Sequence, residues 1–156
     1  MVALFIAAAS VAILATALTL QVFGFEPCEL CYAERVVFYI GAPFAAIIAL
    51  GADRYTAMAR AGLFLLALAF LANAVLAGYH VGVEQHWWHG PSACTGWLTG
   101  PVSVNDLIES LKPATKAVSC DVVQLRIIGI SLAGWDVVSS AALSALAAVA
   151  ACWRVR

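Results

Sequence analysis

The chain has 156 residues, of which 64% are hydrophobic and only 11% are charged. Soluble domains average about 25% charged residues, so this chain has too few charges to cover a water-facing surface. The formal net charge of −1 provides no basic face that could neutralise nucleic-acid phosphates. The composition argues against a disordered chain or a nucleic-acid-binding module, and it predicts a single-domain integral membrane protein.

Four uncharged or nearly uncharged runs are long enough to cross a bilayer as helices, which takes about 20 residues. They predict helices at about 2–25, 31–52, 61–83 and 127–152, with one charge, Asp136, in the last. The first run lacks the basic start and the short apolar stretch of a signal peptide, so it is interpreted as a retained helix. The sequence therefore predicts an all-α integral membrane protein, a four-transmembrane-helix bundle.

The connections between these helices are unequal in length. Segments 26–30 and 53–60 are short, whereas 84–126 is a long loop. With four spans, the first and third connections lie on the same side of the membrane. An apolar stripe of helical spacing in the long loop is formed by Val104, Leu107, Ile108 and Leu111. It predicts a short horizontal helix along the membrane surface, although a loop helix packed on the protein fits equally.

Five cysteines carry the chemical signal of the sequence. Cys28, Cys31, Cys94 and Cys120 lie in or beside the two connections on one side, and Cys152 lies near the opposite end of the bundle. Cys152 is interpreted as a small apolar residue there. Each side of the membrane carries four Lys and Arg residues, so the positive-inside rule does not orient the chain. Paired thiols persist on the oxidising side, which favours a periplasmic location for the four cysteines.

Cys28 and Cys31 form a C-x-x-C unit at the start of the second helix. Alone, such a unit can be redox-active, half of a zinc site or a chance occurrence. Cys31 is expected in the first helical turn, where backbone N–H groups and the helix dipole stabilise a thiolate. Arg35 lies four residues later on the same face and adds a positive charge. The alternative for Arg35 is an interfacial charge paired with Glu34 or a lipid phosphate.

Cys94 and Cys120 lie 26 residues apart in one loop, and a disulfide between them could be exposed and reducible, as catalytic disulfides are. A structural staple or a second zinc pair are the alternatives. Zinc is disfavoured because structural sites usually offer two closely spaced ligand pairs. No haem, dinucleotide or Fe–S motif is present. Two disulfide-capable pairs therefore suggest thiol–disulfide exchange, with a membrane quinone as an acceptor that needs no such motif.

These features together resemble the DsbB family of membrane thiol:quinone oxidoreductases. The first element of the resemblance is Pro27-Cys28-x-x-Cys31 followed by Glu34-Arg35. The others are the four spans, the external loop cysteines, and the stretches Tyr79-His80-Val81-Gly82-Val83-Glu84, Gly90-Pro91-Ser92-Ala93-Cys94, Ser119-Cys120-Asp121 and Gly129-Ile130-Ser131-Leu132-Ala133-Gly134-Trp135. The resemblance covers nearly the whole chain.

The resemblance implies a function in the bacterial inner membrane. The protein would oxidise a periplasmic thioredoxin-like protein of the DsbA type and pass the electrons to ubiquinone or menaquinone. The electrons would pass through two disulfides, Cys94–Cys120 and Cys28–Cys31. The family pattern implies that the partner attacks Cys94 and that Cys120 passes the electrons to Cys28.

The same resemblance implies a quinone-binding site at the outer ends of the helices. Cys31 would contact the quinone ring, with Arg35 beside it. The family also places a polar residue of the third helix near the quinone, and here His80 and Glu84 are the selected candidates. Other competitors for that position are Gln85 and His86. No metal ligands are assigned in this interpretation.

One ionisable group lies within the fourth span. Asp136 is unfavourable there unless it is neutral or paired. The favoured interpretation is structural, with the carboxyl bonded to Asn73 or Ser131. The functional alternative is proton supply to the reduced quinone.

Three other functions fit parts of the sequence. A membrane metal- or haem-binding protein could use His80, Glu84, His86 and His89, although their spacing matches no standard site. A structural four-helix protein could carry passive disulfides. An enzyme similar to vitamin K epoxide reductase also pairs C-x-x-C with a quinone, but places the motif elsewhere in the bundle.

Overall fold

The computed structural model describes residues 1–91, 94 and 118–153. Four long helices dominate this part of the chain, namely α1 (Val2–Val22), α2 (Glu29–Gly51), α3 (Thr56–Glu84) and α4 (Leu132–Cys152). Each helix is long and apolar enough to cross a membrane, which confirms the predicted four-span helical membrane protein. The horizontal helix expected around 104–111 lies outside the described residues.

The bundle core combines aromatic, aliphatic and small side chains. Phe38 of α2 and Phe70 of α3 are fully buried, with ring centroids 5.7 Å apart. The Ser144 hydroxyl of α4 donates a hydrogen bond of 2.8 Å to the Ala67 carbonyl of α3. Small residues let helices approach closely in a membrane, where packing rather than water exclusion drives association. Large apolar side chains such as Phe5 remain exposed on the outside, as lipid-facing surfaces require.

Local polar contacts set the ends of the helices. α2 begins at Glu29 because Cys28 caps it, its Sγ accepting the Cys31 N–H at 3.3 Å. α3 begins at Thr56 rather than at 61, since a helix can continue beyond the apolar segment that marks the membrane span. The Arg60 side chain in this extension donates a 2.8 Å hydrogen bond to the Ala151 carbonyl at the end of α4.

A short β-hairpin precedes α4, where the sequence predicts continuous helix from 127. Strand β1 (Arg126–Ile127) pairs antiparallel with β2 (Ile130–Ser131). The two turn residues, Ile128 and Gly129, have φ angles of 55° and 82°, as a tight two-residue hairpin turn requires. The uniformly apolar run concealed this turn, because isoleucine suits both strand and helix. Ser131 then caps α4 through its hydroxyl, which accepts a backbone N–H at 3.2 Å.

The rings of Tyr79 and Trp88 pack against each other near the C-terminal end of α3. The Trp88 indole N–H donates to the Tyr79 carbonyl at 3.0 Å, and the two rings stack with centroids 5.9 Å apart. The Trp88 ring occupies the space beside Gly82, where a Cβ atom would lie 1.9 Å from Trp88 Cζ2. Only glycine at this position lets the tryptophan fold back on the helix.

Gly82→Ala is expected to lower the free energy of unfolding, because the new methyl group must displace the Trp88 ring. Overpacking of this kind typically costs about 1–3 kcal/mol. Thermal unfolding in detergent, followed by tryptophan fluorescence, measures the effect. Gly78→Ala is the matched control, since a Cβ there meets nothing within 4 Å in the same helix. Equal unfolding midpoints for the two variants would contradict the prediction.

Candidate active site

The two cysteine-bearing connections meet at one end of the bundle. Cys28, Cys94 and Cys120 pack in one buried cluster with Leu30 and Val83. The segment after Cys120 is fastened to the first connection, since the Gln124 amide donates a 2.7 Å hydrogen bond to the Glu26 carbonyl. The structure therefore brings the cysteines of the two connections into contact at a single site.

Cys94 and Cys120, the loop pair, are joined by a disulfide with Cα atoms 5.2 Å apart. The Cys120 N–H and the Ser119 hydroxyl both donate to the Cys94 carbonyl, at 3.1 and 3.2 Å. Ser119 also hydrogen-bonds the Asp121 carboxylate. The sequence suggested an exposed disulfide, but Cys94 is only 3% exposed and Cys120 only 1%. Packing against the ends of α2 and α3 covers both residues.

Cys28 and Cys31, the inner pair, are thiols with sulfur atoms 2.8 Å apart. The Cys31 N–H lies 3.3 Å from Cys28 Sγ, and His80 Nε2 lies 3.6 Å from it. The Cys31 thiol above all, with help from His80 and the Cys31 N–H, lowers the pKa of the Cys28 thiol, although burial opposes the effect. The groups that stabilise a thiolate therefore surround Cys28, whereas the sequence suggested Cys31.

A buried hydrogen bond links α2 and α3 beside the inner pair. His80 Nδ1 lies 2.7 Å from Glu34 Oε1, and both residues are buried. The sequence predicts Glu34 only as an alternative partner of Arg35. The sequence does contain a signal for this contact, because Glu34 and His80 are ionisable residues within two consecutive predicted spans.

Arg35 bonds a residue of α1 and not Glu34, the protein partner that the alternative interpretation gave it. Its guanidinium donates a 3.0 Å hydrogen bond to Gln21 Oε1 of α1 and lies 5.7 Å from the Tyr32 ring centre. Gln21 was not identified from the sequence, where nothing distinguishes it from other polar residues at a helix end. The contact leaves Glu34 free to bond His80.

A cavity of about 520 Å³ opens beside the inner pair. Its wall is formed mainly by apolar residues of α1, α2, α4 and the segment after Cys120. All four residues that the sequence assigned to cofactor binding line it: Cys31, Arg35, His80 and Glu84. Glu84 Oε2 is buried and has no hydrogen-bond partner among the described residues. Buried polar atoms normally have a partner, so this oxygen marks a place where a ligand could bind.

Asp136 lines the same cavity and belongs to a polar cluster between α3 and α4. Its carboxylate accepts from the Asn73 amide at 3.0 Å and from the Ser140 hydroxyl at 3.3 Å. This confirms the expected contact with Asn73. The other suggested partner, Ser131, instead caps α4.

The ligand set of the metal- or haem-binding alternative is not assembled. His86 and His89 are exposed and do not line the cavity, whereas His80 is buried between Glu34 and Cys28. Cys152 is exposed at the last residue of α4, at the opposite end of the bundle.

Comparison with known proteins identifies similar chains. The family model "Disulfide bond formation protein DsbB" matches residues 1–150. The chain is 43% identical over 82 residues to "Disulfide bond formation protein B" of Herminiimonas arsenicoxydans, a match covering 52% of this chain and 50% of that relative. It is 32% identical over 159 residues to "Disulfide bond formation protein B 2" of Burkholderia lata, covering 97% of this chain and 85% of that relative. No solved structure matches the chain.

The reduced protein is expected to retain a thiolate at Cys28 well below pH 8.5, the usual midpoint of a cysteine thiol. An ultraviolet pH titration of thiolate absorbance measures this. His80→Gln should move the midpoint upward, because Cys28 loses one of the groups that stabilise its charge. Cys152→Ser is the control and should leave the low-pH step in place. An unchanged low-pH step in Cys28→Ser would contradict the assignment.

Proposed function

Because the chain belongs to the DsbB family of disulfide bond formation proteins, we propose that it oxidises a periplasmic DsbA-type dithiol protein and reduces a membrane quinone. Family membership makes the protein an oxidoreductase of disulfide formation, and its four spanning helices make it a multi-pass membrane protein. One observation supports the finer assignment most strongly. Cys28 Sγ, Cys120 Sγ and a His80 ring nitrogen all lie within 4.8 Å of one another.

The first exchange takes place at the loop pair. A thiolate of the partner attacks Cys94 Sγ, the Cys94–Cys120 bond breaks, and a mixed disulfide forms while Cys120 leaves as a thiolate. Cys94 is buried, so its sulfur must become exposed before the partner can reach it.

The second exchange transfers the electron pair to the inner pair. The Cys120 thiolate attacks Cys28 of an oxidised inner pair, and Cys31 leaves as a thiolate. The second thiolate of the partner then resolves the mixed disulfide and releases Cys94. Cys94 attacks Cys120, which restores the loop disulfide and frees Cys28. One partner disulfide has formed, and two electrons reside on Cys28 and Cys31.

Cys28 is a favourable leaving group in the last exchange because its contacts stabilise a thiolate, and thiols of lower pKa leave faster. His80 lies between Cys28 and the Glu34 carboxylate, so protons from the inner pair have an acceptor within reach.

The cavity beside the inner pair fits a quinone. Its apolar wall suits a ring and chain that partition into the bilayer, and polar side chains for the ring oxygens are supplied by Arg35, His80 and Glu84. The unpartnered Glu84 oxygen supports this fit. A quinone bound there would accept two electrons and two protons while the inner pair returns to its disulfide.

The proposed location follows from the redox chemistry of the partner. A DsbA-type protein is a strong oxidant at roughly −120 mV, so a glutathione pool cannot keep it oxidised. A respiratory quinone can, and this supports a location in the bacterial inner membrane. The site would then face the periplasm, where the partner resides.

Purified protein, reduced DsbA-type partner and a soluble quinone analogue are expected to give catalytic loss of quinone absorbance. Cys31→Ser should abolish this loss because the inner pair can no longer form a disulfide. Cys94→Ser should abolish the mixed disulfide with the partner, detected on non-reducing gels. Cys152→Ser is the control and should retain full turnover. Full turnover in either Cys31→Ser or Cys94→Ser would refute the assigned roles. If the disulfides of the unmodified protein do not change when the reduced partner is added, the protein is structural.

Arg35→Gln is expected to lower kcat/KM for the quinone analogue by at least about tenfold, because the cation at the cavity wall is lost. The kcat/KM for the partner should stay unchanged, since the first exchanges do not involve Arg35. Steady-state kinetics with each substrate varied in turn separates the two constants. Arg54→Gln, an exposed residue at the opposite end, is the control. An equal fall in both constants would contradict a role at the cavity.

A further inference from the structure

The reduced inner pair and His80 have the chemistry of a metal site, and the sets Cys28–His80–Cys120 and Cys31–Glu34–His80 each bring their ligand atoms within 4.8 Å of one another. Cys28, Cys31 and His80 present two sulfur atoms and one imidazole nitrogen, which are the ligands that Zn²⁺ prefers. Tetrahedral zinc geometry places sulfur and nitrogen ligands about 3.5 Å apart, and His80 Nε2 lies 3.6 Å from Cys28 Sγ. The two sulfurs are 2.8 Å apart and would separate by about 1 Å, within reach of a cysteine side-chain rotation.

The orientation of His80 supports the same interpretation. Its Nδ1 donates to the Glu34 carboxylate, so Nε2 is the ring nitrogen that faces Cys28 and that can bind a metal once it releases its proton. Histidine ligands of zinc almost always have a hydrogen-bond partner on the far nitrogen, often a carboxylate, which fixes the tautomer and raises the basicity of the ligand. Glu34 would therefore act as a positioning residue and not as a ligand.

We propose that the dithiol form of the inner pair binds a thiophilic divalent cation of the zinc type, through Cys28 Sγ, Cys31 Sγ and His80 Nε2. The cavity that these residues line gives the ion a route in and leaves the fourth position to water. Reduction of the loop pair would offer a second occupant of that position, since Cys120 Sγ lies within 4.8 Å of Cys28 Sγ and a His80 nitrogen. Binding displaces the protons still carried by the ligand sulfur and nitrogen atoms and changes no oxidation state.

The metal would act as a reversible inhibitor of the proposed relay. An ion bound to both sulfurs prevents the inner pair from forming a disulfide, so electrons cannot leave it. This consequence rests on the proposed function, whereas the binding itself does not. The metal-binding alternative that the sequence offered used His80, Glu84, His86 and His89. The site proposed here shares only His80 with that set.

Co²⁺ binding to tag-free protein in detergent tests the site, with the exposed thiol removed by Cys152→Ser and phosphine as reductant. Reduced protein is expected to bind one equivalent of Co²⁺ with the visible absorption of tetrahedral thiolate coordination, and Zn²⁺ should displace it. The same protein with the inner pair oxidised should show no such absorption. A spectrum that is absent from the reduced protein, or that persists after oxidation, would overturn the proposal without any mutation in the site.

Variants separate the assigned ligands from the rest of the protein. Cys31→Ser and His80→Gln should remove or greatly weaken the tetrahedral spectrum, and Glu34→Gln should weaken Co²⁺ binding about 10–100-fold, as loss of a carboxylate behind a histidine ligand does. His86→Asn is the matched control, because His86 is exposed and asparagine tolerates its positive φ. Equal binding by His80→Gln and His86→Asn would contradict the site.

A kinetic measurement separates the two proposals. If the quinone assay turns over, Zn²⁺ added to the reduced protein should slow it, and a chelator should restore the rate. If the protein binds Co²⁺ tetrahedrally but Zn²⁺ does not slow turnover, the proposed inhibition is refuted while the metal site stands. If the assay does not turn over, the proposed relay fails, while the cobalt spectrum still decides the metal site.

Discussion

The hydrogen bond between Glu34 and His80 is the contact on which the arrangement of the site depends. An ionisable group buried alone in an apolar bundle costs several kcal/mol, and each of these side chains reduces that cost for the other. Because Glu34 lies on α2 and His80 on α3, the bond also aligns these helices at the end where the cysteines meet. It directs the second ring nitrogen of His80 toward Cys28, and it leaves Arg35 to bond Gln21 on α1.

A second group of polar side chains lies farther along the bundle, between α3 and α4, and it specifies how these two helices pack. Asn73, Asp136 and Ser140 satisfy one another between α3 and α4, and Ser144 bonds a backbone carbonyl across the same interface. Such contacts are modest in a membrane, at about 0.6 kcal/mol on average, but they specify which faces of the helices meet. The wall of the cavity includes Asp136, so the two polar groups border the same space.

The helices were predictable because an apolar run of sufficient length has few alternatives in a membrane. The boundaries of the helices were harder to predict. Helix α3 already begins at Thr56, in a polar segment outside the apolar run. The hairpin before α4 lies within an isoleucine-rich apolar segment that also suits a helix. Cys28, Cys31, Arg35, His80 and Glu84 could be selected because cysteine pairs and intramembrane polar residues are rare. The hydrogen-bond partners could not be predicted, since Glu34 to His80 and Arg35 to Gln21 are contacts between different helices, and the sequence does not show which faces of the helices meet. The helix N-terminus and Arg35 predict the thiolate at Cys31, whereas the structure places specific hydrogen-bonding groups around Cys28.

The sulfur of Cys28 is also the N-cap of α2, which gives the disulfide chemistry a mechanical consequence. A helix that starts with a thiolate cap has its first backbone amides satisfied by a full charge, and a helix whose cap sulfur is in a disulfide has only a weak acceptor there. If Cys28 takes part in the proposed relay, each change of its partner would loosen or tighten the first turn of α2. That turn carries Cys31 and leads directly to Glu34 and Arg35, so the relay would couple the oxidation state of the cysteines to the shape of the cavity wall through the backbone.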